Sequence, residues 1–88
     1  MTLIEAIAIK TKSLMQEKNI SQQMLETKTN ISHYSMNKIL KCKYKDIDIV
    51  TMLKLCNAFG ITINEFLNDD LFTMSNLQIT NNNQHINR

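Results

Sequence analysis

The chain has 88 residues, one glycine, no proline and a formal net charge of +2. That length supports one modest hydrophobic core and no second domain, and the shortage of turn residues removes the usual punctuation of hairpins and strands, so an all-α fold is expected. No run of about 18 apolar residues is present, and acidic Glu5 stands where a basic leader would be. Both observations argue against a membrane span or a signal peptide and lead to an expectation of a cytoplasmic protein.

Helix 1 is expected over Leu3 to Lys18. Thr2 serves as cap and Glu5 completes a capping box, while Leu3, Ile4, Ile7, Leu14 and Met15 are spaced for one buried face. Asn19 ends it as a left-handed residue in place of glycine. Ser21 caps a second helix from Gln22 to Lys28, because its hydroxyl can accept from a backbone amide of the first turn. Asn30 sits where the chain must turn sharply. Ser32 then caps a third helix that opens at His33. Its Met36, Ile39 and Leu40 share one face, which leaves His33, Tyr34, Asn37, Lys38 and Lys41 pointing elsewhere.

Lys41 to Ile47 reads as a loop. Asp48 caps a fourth helix through Phe59, with Ile49, Met52, Leu53, Cys56 and Phe59 as its apolar stripe, and Gly60 stops it. Thr62 caps a short fifth helix, Ile63 to Leu67, with Ile63, Phe66 and Leu67 turned inward. The folded unit is therefore expected over residues 1–70. Residues 71–88 form a polar, Asn-rich tail that either remains flexible or uses Leu71 to Ile79 as an arm or strand completing a dimer. Cys42 and Cys56 have no CxxC spacing and no His at ligand spacing, and both are read as small packing residues.

The charge is unevenly placed. Between Glu26 and Asp46 there are five lysines (Lys28, Lys38, Lys41, Lys43, Lys45) and no acid, whereas from Asp46 onward five acids outnumber Lys54 and Arg88. Positive charge thus gathers on helices 2 and 3 and the loop after them, where a phosphate backbone could lie; a solvated basic loop is the alternative. Two short helices joined by a tight turn, the second with a polar and basic outer side, make a helix-turn-helix.

From about Leu3 to Leu67 the chain resembles the Cro/cI-type helix-turn-helix of the XRE family. The resemblance lies in the order and spacing of Ile20-Ser21-Gln22-Gln23-Met24-Leu25, then Asn30-Ile31-Ser32, then Met52-Leu53-Lys54-Leu55-Cys56-Asn57-Ala58-Phe59-Gly60-Ile61. It implies a five-helix, lambda-repressor-like DNA-binding domain. It also implies that Gln22 bridges to the DNA backbone and to the recognition helix, and that His33, Tyr34 and Asn37 face base edges. An Asn amide can pair with adenine N6 and N7, a His can donate to guanine, and a Tyr ring can pack on a thymine methyl. Ser32 and Ser35 let the backbone approach. Lys38, Lys41, Lys43, Tyr44 and Lys45 are candidates for phosphate contact, with plain surface exposure as the alternative for each.

Four positions depart from the family pattern. Glu26 stands where the family often has Ala at a close helix crossing, so its carboxylate must turn outward or the helices must separate. Cys42 replaces the Gly that usually ends the motif, and the backbone there is expected to avoid a left-handed conformation. Met15 and Leu40 occupy positions where the family commonly pairs Arg with Glu, and a contact between these two apolar side chains is expected. The function that follows is sequence-specific binding of double-stranded DNA by a regulator, most naturally a repressor. It would act on a palindromic operator as a homodimer, with Ile61 to Leu71 as interface and without cofactor, metal or small-molecule ligand. The competing reading is a protein-interaction module, an antitoxin or adaptor that grips a partner through the tail. Enzyme chemistry finds no support, because the acids are scattered and neither His has a nucleophile or ligand at suitable spacing.

Overall fold

Every helix begins where a short polar side chain can accept from a backbone amide of the first turn, and these caps set the element boundaries. A computed structural model describes residues 1–74, 76 and 77. In it α1 spans Leu3–Glu17, α2 Gln22–Thr29, α3 His33–Leu40, α4 Ile49–Phe59 and α5 Ile63–Leu67, followed by a 3-10 turn at Asp70–Phe72. Thr2 with Glu5 and Thr62 with Glu65 form reciprocal capping boxes. Ser21, Ser32 and Asp48 accept from the amides of Met24, Ser35 and Thr51 at 3.1, 3.1 and 2.7 Å. All five expected caps are in place.

The first four helices all end on a left-handed residue: Asn19, Asn30, Cys42 and Gly60, with φ of 55°, 59°, 58° and 70°. At the end of α3 the Cys42 amide donates to the Ile39 carbonyl at 3.3 Å and the Lys43 amide to the Lys38 carbonyl at 2.8 Å, the paired closure of a Schellman motif. This corrects the expectation that Cys42 would avoid that conformation. Two carbonyls at the helix end need donors, and only a left-handed residue turns the chain back far enough to supply both. Cys42 is also exposed rather than packed, whereas Cys56 is buried in the core, where desolvation raises its thiol pKa.

The core gathers Ile7, Leu14, Leu25, Met36, Leu40, Met52, Leu55, Cys56, Phe59 and Phe66, with Met15, Ile20, Ile31 and Ile47 packed against it. Leu40 and Met15 therefore meet the same cluster, where two apolar residues need no desolvated ion pair. Other faces are rotated from the sequence reading. On α1 the buried residues are Ala6, Ile7, Ala8, Thr11 and Leu14, and Leu3 is exposed. Small Ala6 and Ala8 mark close approach, and the Thr11 hydroxyl is satisfied by donating to the Ile7 carbonyl at 2.7 Å. On α4 Leu55 is fully buried while Ile49 and Leu53 are exposed, and on α5 Leu67 is exposed. Spacing alone permitted either stripe; the neighbours chose.

The expected tail begins inside the 3-10 turn. Leu71 and Phe72 are half-buried, and the Phe72 ring packs on Phe66 with centroids 5.9 Å apart. Asp69 caps this turn through the Leu71 amide at 3.0 Å and pairs with Lys10 of α1 at 3.0 Å. The rest of the tail, residue 75 and residues 78–88, lies outside the described residues, and with it part of the proposed arm.

Candidate nucleic-acid interface

Helices α2 and α3 are held together by Leu25 and Met36, both fully buried, and by the turn between them. In that turn the Thr29 hydroxyl donates to the Leu25 carbonyl at 2.7 Å and accepts from the Ile31 amide at 3.2 Å. Asn30 supplies the left-handed step. The geometry of the pair is thus fixed from inside.

On the outer side, residues four apart on a helix lie one above the other. Gln22 and Glu26 form such a pair on α2, and His33 and Asn37 on α3. The two pairs close into one ring of hydrogen bonds. Gln22 Nε2 donates to Glu26 Oε2 at 2.8 Å and to Asn37 Oδ1 at 2.8 Å. His33 Nδ1 lies 2.8 Å from Glu26 Oε2, and Asn37 Nδ2 lies 3.1 Å from His33 Nε2. An ionised carboxylate only accepts, so Nδ1 carries the proton facing Glu26 and Nε2 accepts from Asn37. Of the two contacts that the resemblance implies for Gln22, the one within the chain is seen as its hydrogen bond to Asn37 of α3.

Glu26 resolves its departure from the family in a way the sequence reading did not foresee. Its side chain is 15% exposed. It neither turns away into solvent nor splits the helices, because donors from both helices converge on one oxygen. The Gln22 amide is the main cause that holds its carboxyl pKa below the ordinary value; partial burial opposes this, and His33 assists. Glu26 is the member of the site that sequence reasoning missed. The signal was there, as two polar pairs at four-residue spacing on two helices already expected to cross.

The remaining candidates form a basic rim. Lys38 is half-buried, with Nζ 4.8 Å from the Tyr34 ring centroid and 5.2 Å from that of Tyr44, a cation held between two aromatic faces. Tyr34 itself is 69% exposed. Lys41, Lys43 and Lys45 are exposed along the chain leaving α3, and Lys28 is exposed at the end of α2. Among the described residues the ion pairs are Lys10 with Asp69 and Glu26 with His33, so these lysines keep their charge free of carboxylate partners. Ser32 is exposed at the start of α3 and Ser35 half-buried one turn on. A cleft beside them, lined by Ser35, Tyr44, Asp46, Asp48 and Lys54, brings acids to the edge of the basic rim.

The structure therefore brings Gln22, His33 and Asn37 into one network and Tyr34, Lys38 and Tyr44 into another. Among the described residues no three His, Cys, Asp or Glu side chains group as metal ligands, and no helix is long and apolar enough to cross a membrane. A family model described as the Cro/C1-type HTH DNA-binding domain matches residues 10–70, from the middle of α1 to the start of the 3-10 turn. Neither the curated proteins nor the solved structures contain a match.

Proposed function

The chain belongs to the Cro/C1-type helix-turn-helix DNA-binding family, and from that premise we propose that it is a sequence-specific transcriptional regulator, acting as a repressor, that reads the major groove with α3. The observation that carries this reading is the outer side of α3: exposed His33 and Tyr34, Asn37 tied into the ring, and a rim of lysines without carboxylate partners. In this role Asn37 and Tyr34 meet base edges, and Gln22, Ser32, Ser35, Lys38, Lys41, Lys43, Tyr44 and Lys45 meet sugar and phosphate. With both ring nitrogens engaged, His33 touches bases through its carbon edge.

The operator is palindromic and the protein binds it as a homodimer, because two recognition helices about 34 Å apart fit one turn of duplex. Apolar side chains left in solvent, Leu67 together with Ile49, Val50 and Leu53 of α4, are available for the dimer contact. The same exposed residues also suit the second reading, a module that grips a protein partner.

Selection of bound sites from a random duplex pool, followed by gel shift at several salt concentrations, tests the proposal. A two-fold consensus, and affinity that falls steeply with salt, are expected. Binding without sequence preference, or no binding at low salt, rejects the regulator and leaves the partner-gripping module.

A further inference from the structure

We propose that Glu26 is a positioning residue for base recognition: its carboxylate fixes the proton of His33 on Nδ1 and, through the ring, turns the Asn37 amide one way round. This rests on the reading of α3 as the base-contacting helix.

The argument is one of donor and acceptor counting. Glu26 Oε2 faces both Gln22 Nε2 and His33 Nδ1, each at 2.8 Å. A carboxylate cannot donate, so the Gln22 amide must turn its nitrogen, not its oxygen, toward Glu26. The second hydrogen on that nitrogen points to Asn37, which must answer with Oδ1. Asn37 Nδ2 then falls on the His33 side, where it needs an acceptor. His33 supplies one only as the Nδ1–H tautomer, the form that Glu26 already selects. All four directions are fixed because one group has no donor: Glu26 accepts twice, Gln22 Nε2 donates twice, and the series Gln22 to Asn37 to His33 runs from donor to acceptor. Replacing Glu26 with Ala removes the group that sets the direction of that series, and both amides can then flip.

The consequence falls on Asn37. After its two ring bonds it keeps one amide hydrogen and one carbonyl lone pair for a base. Adenine offers N7 as acceptor beside N6 as donor, and the order of the two along the groove differs between A·T and T·A. An amide locked one way accepts a single order at its position. An amide free to flip tolerates both.

The test uses the full chain as wild type, Glu26→Ala, Glu26→Gln and Asn37→Ala. Gln at 26 can place a carbonyl where Oε2 sits and keep the ring, whereas Ala cannot. Nitrogen-15 NMR of the imidazole, without DNA, should find the Nδ1–H tautomer of His33 in wild type and E26Q and a redistribution toward Nε2–H in E26A. Competition binding with single-base variants of the selected site should locate the position read by Asn37 from the loss in N37A. At that position E26A should relax discrimination on the order of tenfold, with E26Q near wild type and the salt slope unchanged. Undiminished discrimination in E26A, or His33 still protonated on Nδ1 there, overturns the positioning role. Absence of any base preference in wild type overturns instead the base-reading premise beneath it.

Discussion

Cys42→Gly should stabilise the protein, and the size of the gain can be worked from one dihedral. Cys42 has φ of 58° and is exposed, so its side chain contributes a clash with its own backbone and almost no packing. An L-residue in the left-handed region costs roughly 1–2 kcal/mol, and glycine, with no Cβ, avoids it. Glycine also gives the unfolded chain more freedom, which takes back about 0.4–1 kcal/mol. The balance favours Gly by about 0.5–1 kcal/mol, or roughly 2–8 °C in Tm for a domain of this size. The control is Cys42→Ala, which removes the sulfur but keeps the Cβ and should stay within about 0.5 kcal/mol of wild type. Thermal melts by circular dichroism, at one protein concentration because a dimer would couple to it, compare the three. If C42G melts no higher than C42A, the turn after α3 is unstrained and the account of how that helix ends is wrong.

Phe66→Ala should remove about 3–5 kcal/mol, since Phe66 is fully buried and carries Phe72 on its ring. Against a total of about 4–13 kcal/mol for a chain of this length, urea denaturation should find a clearly lowered midpoint, reaching zero denaturant only where the wild type lies at the low end of that range. Stability should also fall in acid. The carboxyls of Glu5, Asp48, Glu65 and Asp69 are all lowered, first by the backbone amides of Thr2, Thr51, Thr62 and Leu71 that they cap. Their stabilisation is complete above the unfolded values near about pH 4 and disappears as pH drops through the lower folded ones. Melts between about pH 7 and 3 should follow that course, and Asp48→Asn, which still caps but cannot titrate, should weaken the dependence. Among the lysines, Lys41→Ala, Lys43→Ala and Lys45→Ala should each reduce the slope of log affinity against log salt by about 0.9 where the side chain meets a phosphate; an unchanged slope removes that lysine from the interface.

What could be read from the chain alone was whatever is decided within a few residues. Thr2, Ser21, Ser32, Asp48 and Thr62 begin helices because a side-chain oxygen reaches an amide three positions on, and all five do so here. Asn19, Asn30 and Gly60 end them for an equally local reason. Element order, the all-α class and the family resemblance follow from those marks. Three things depended on what lay across the fold. Which stripe of α4 goes inward is settled by the partners it meets, so Leu55 is buried and Leu53 is not. Cys42 adopts a glycine-like conformation because two carbonyls of α3 require donors, which outweighs the residue's own preference. Glu26, an oddity on α2 when read alone, becomes the acceptor that orients Gln22 and His33 once α3 is set beside it. Caps and breaks are short-range and are written in neighbouring letters. Burial and hydrogen-bond direction are pairwise across space, and only the packed helices bring those pairs together.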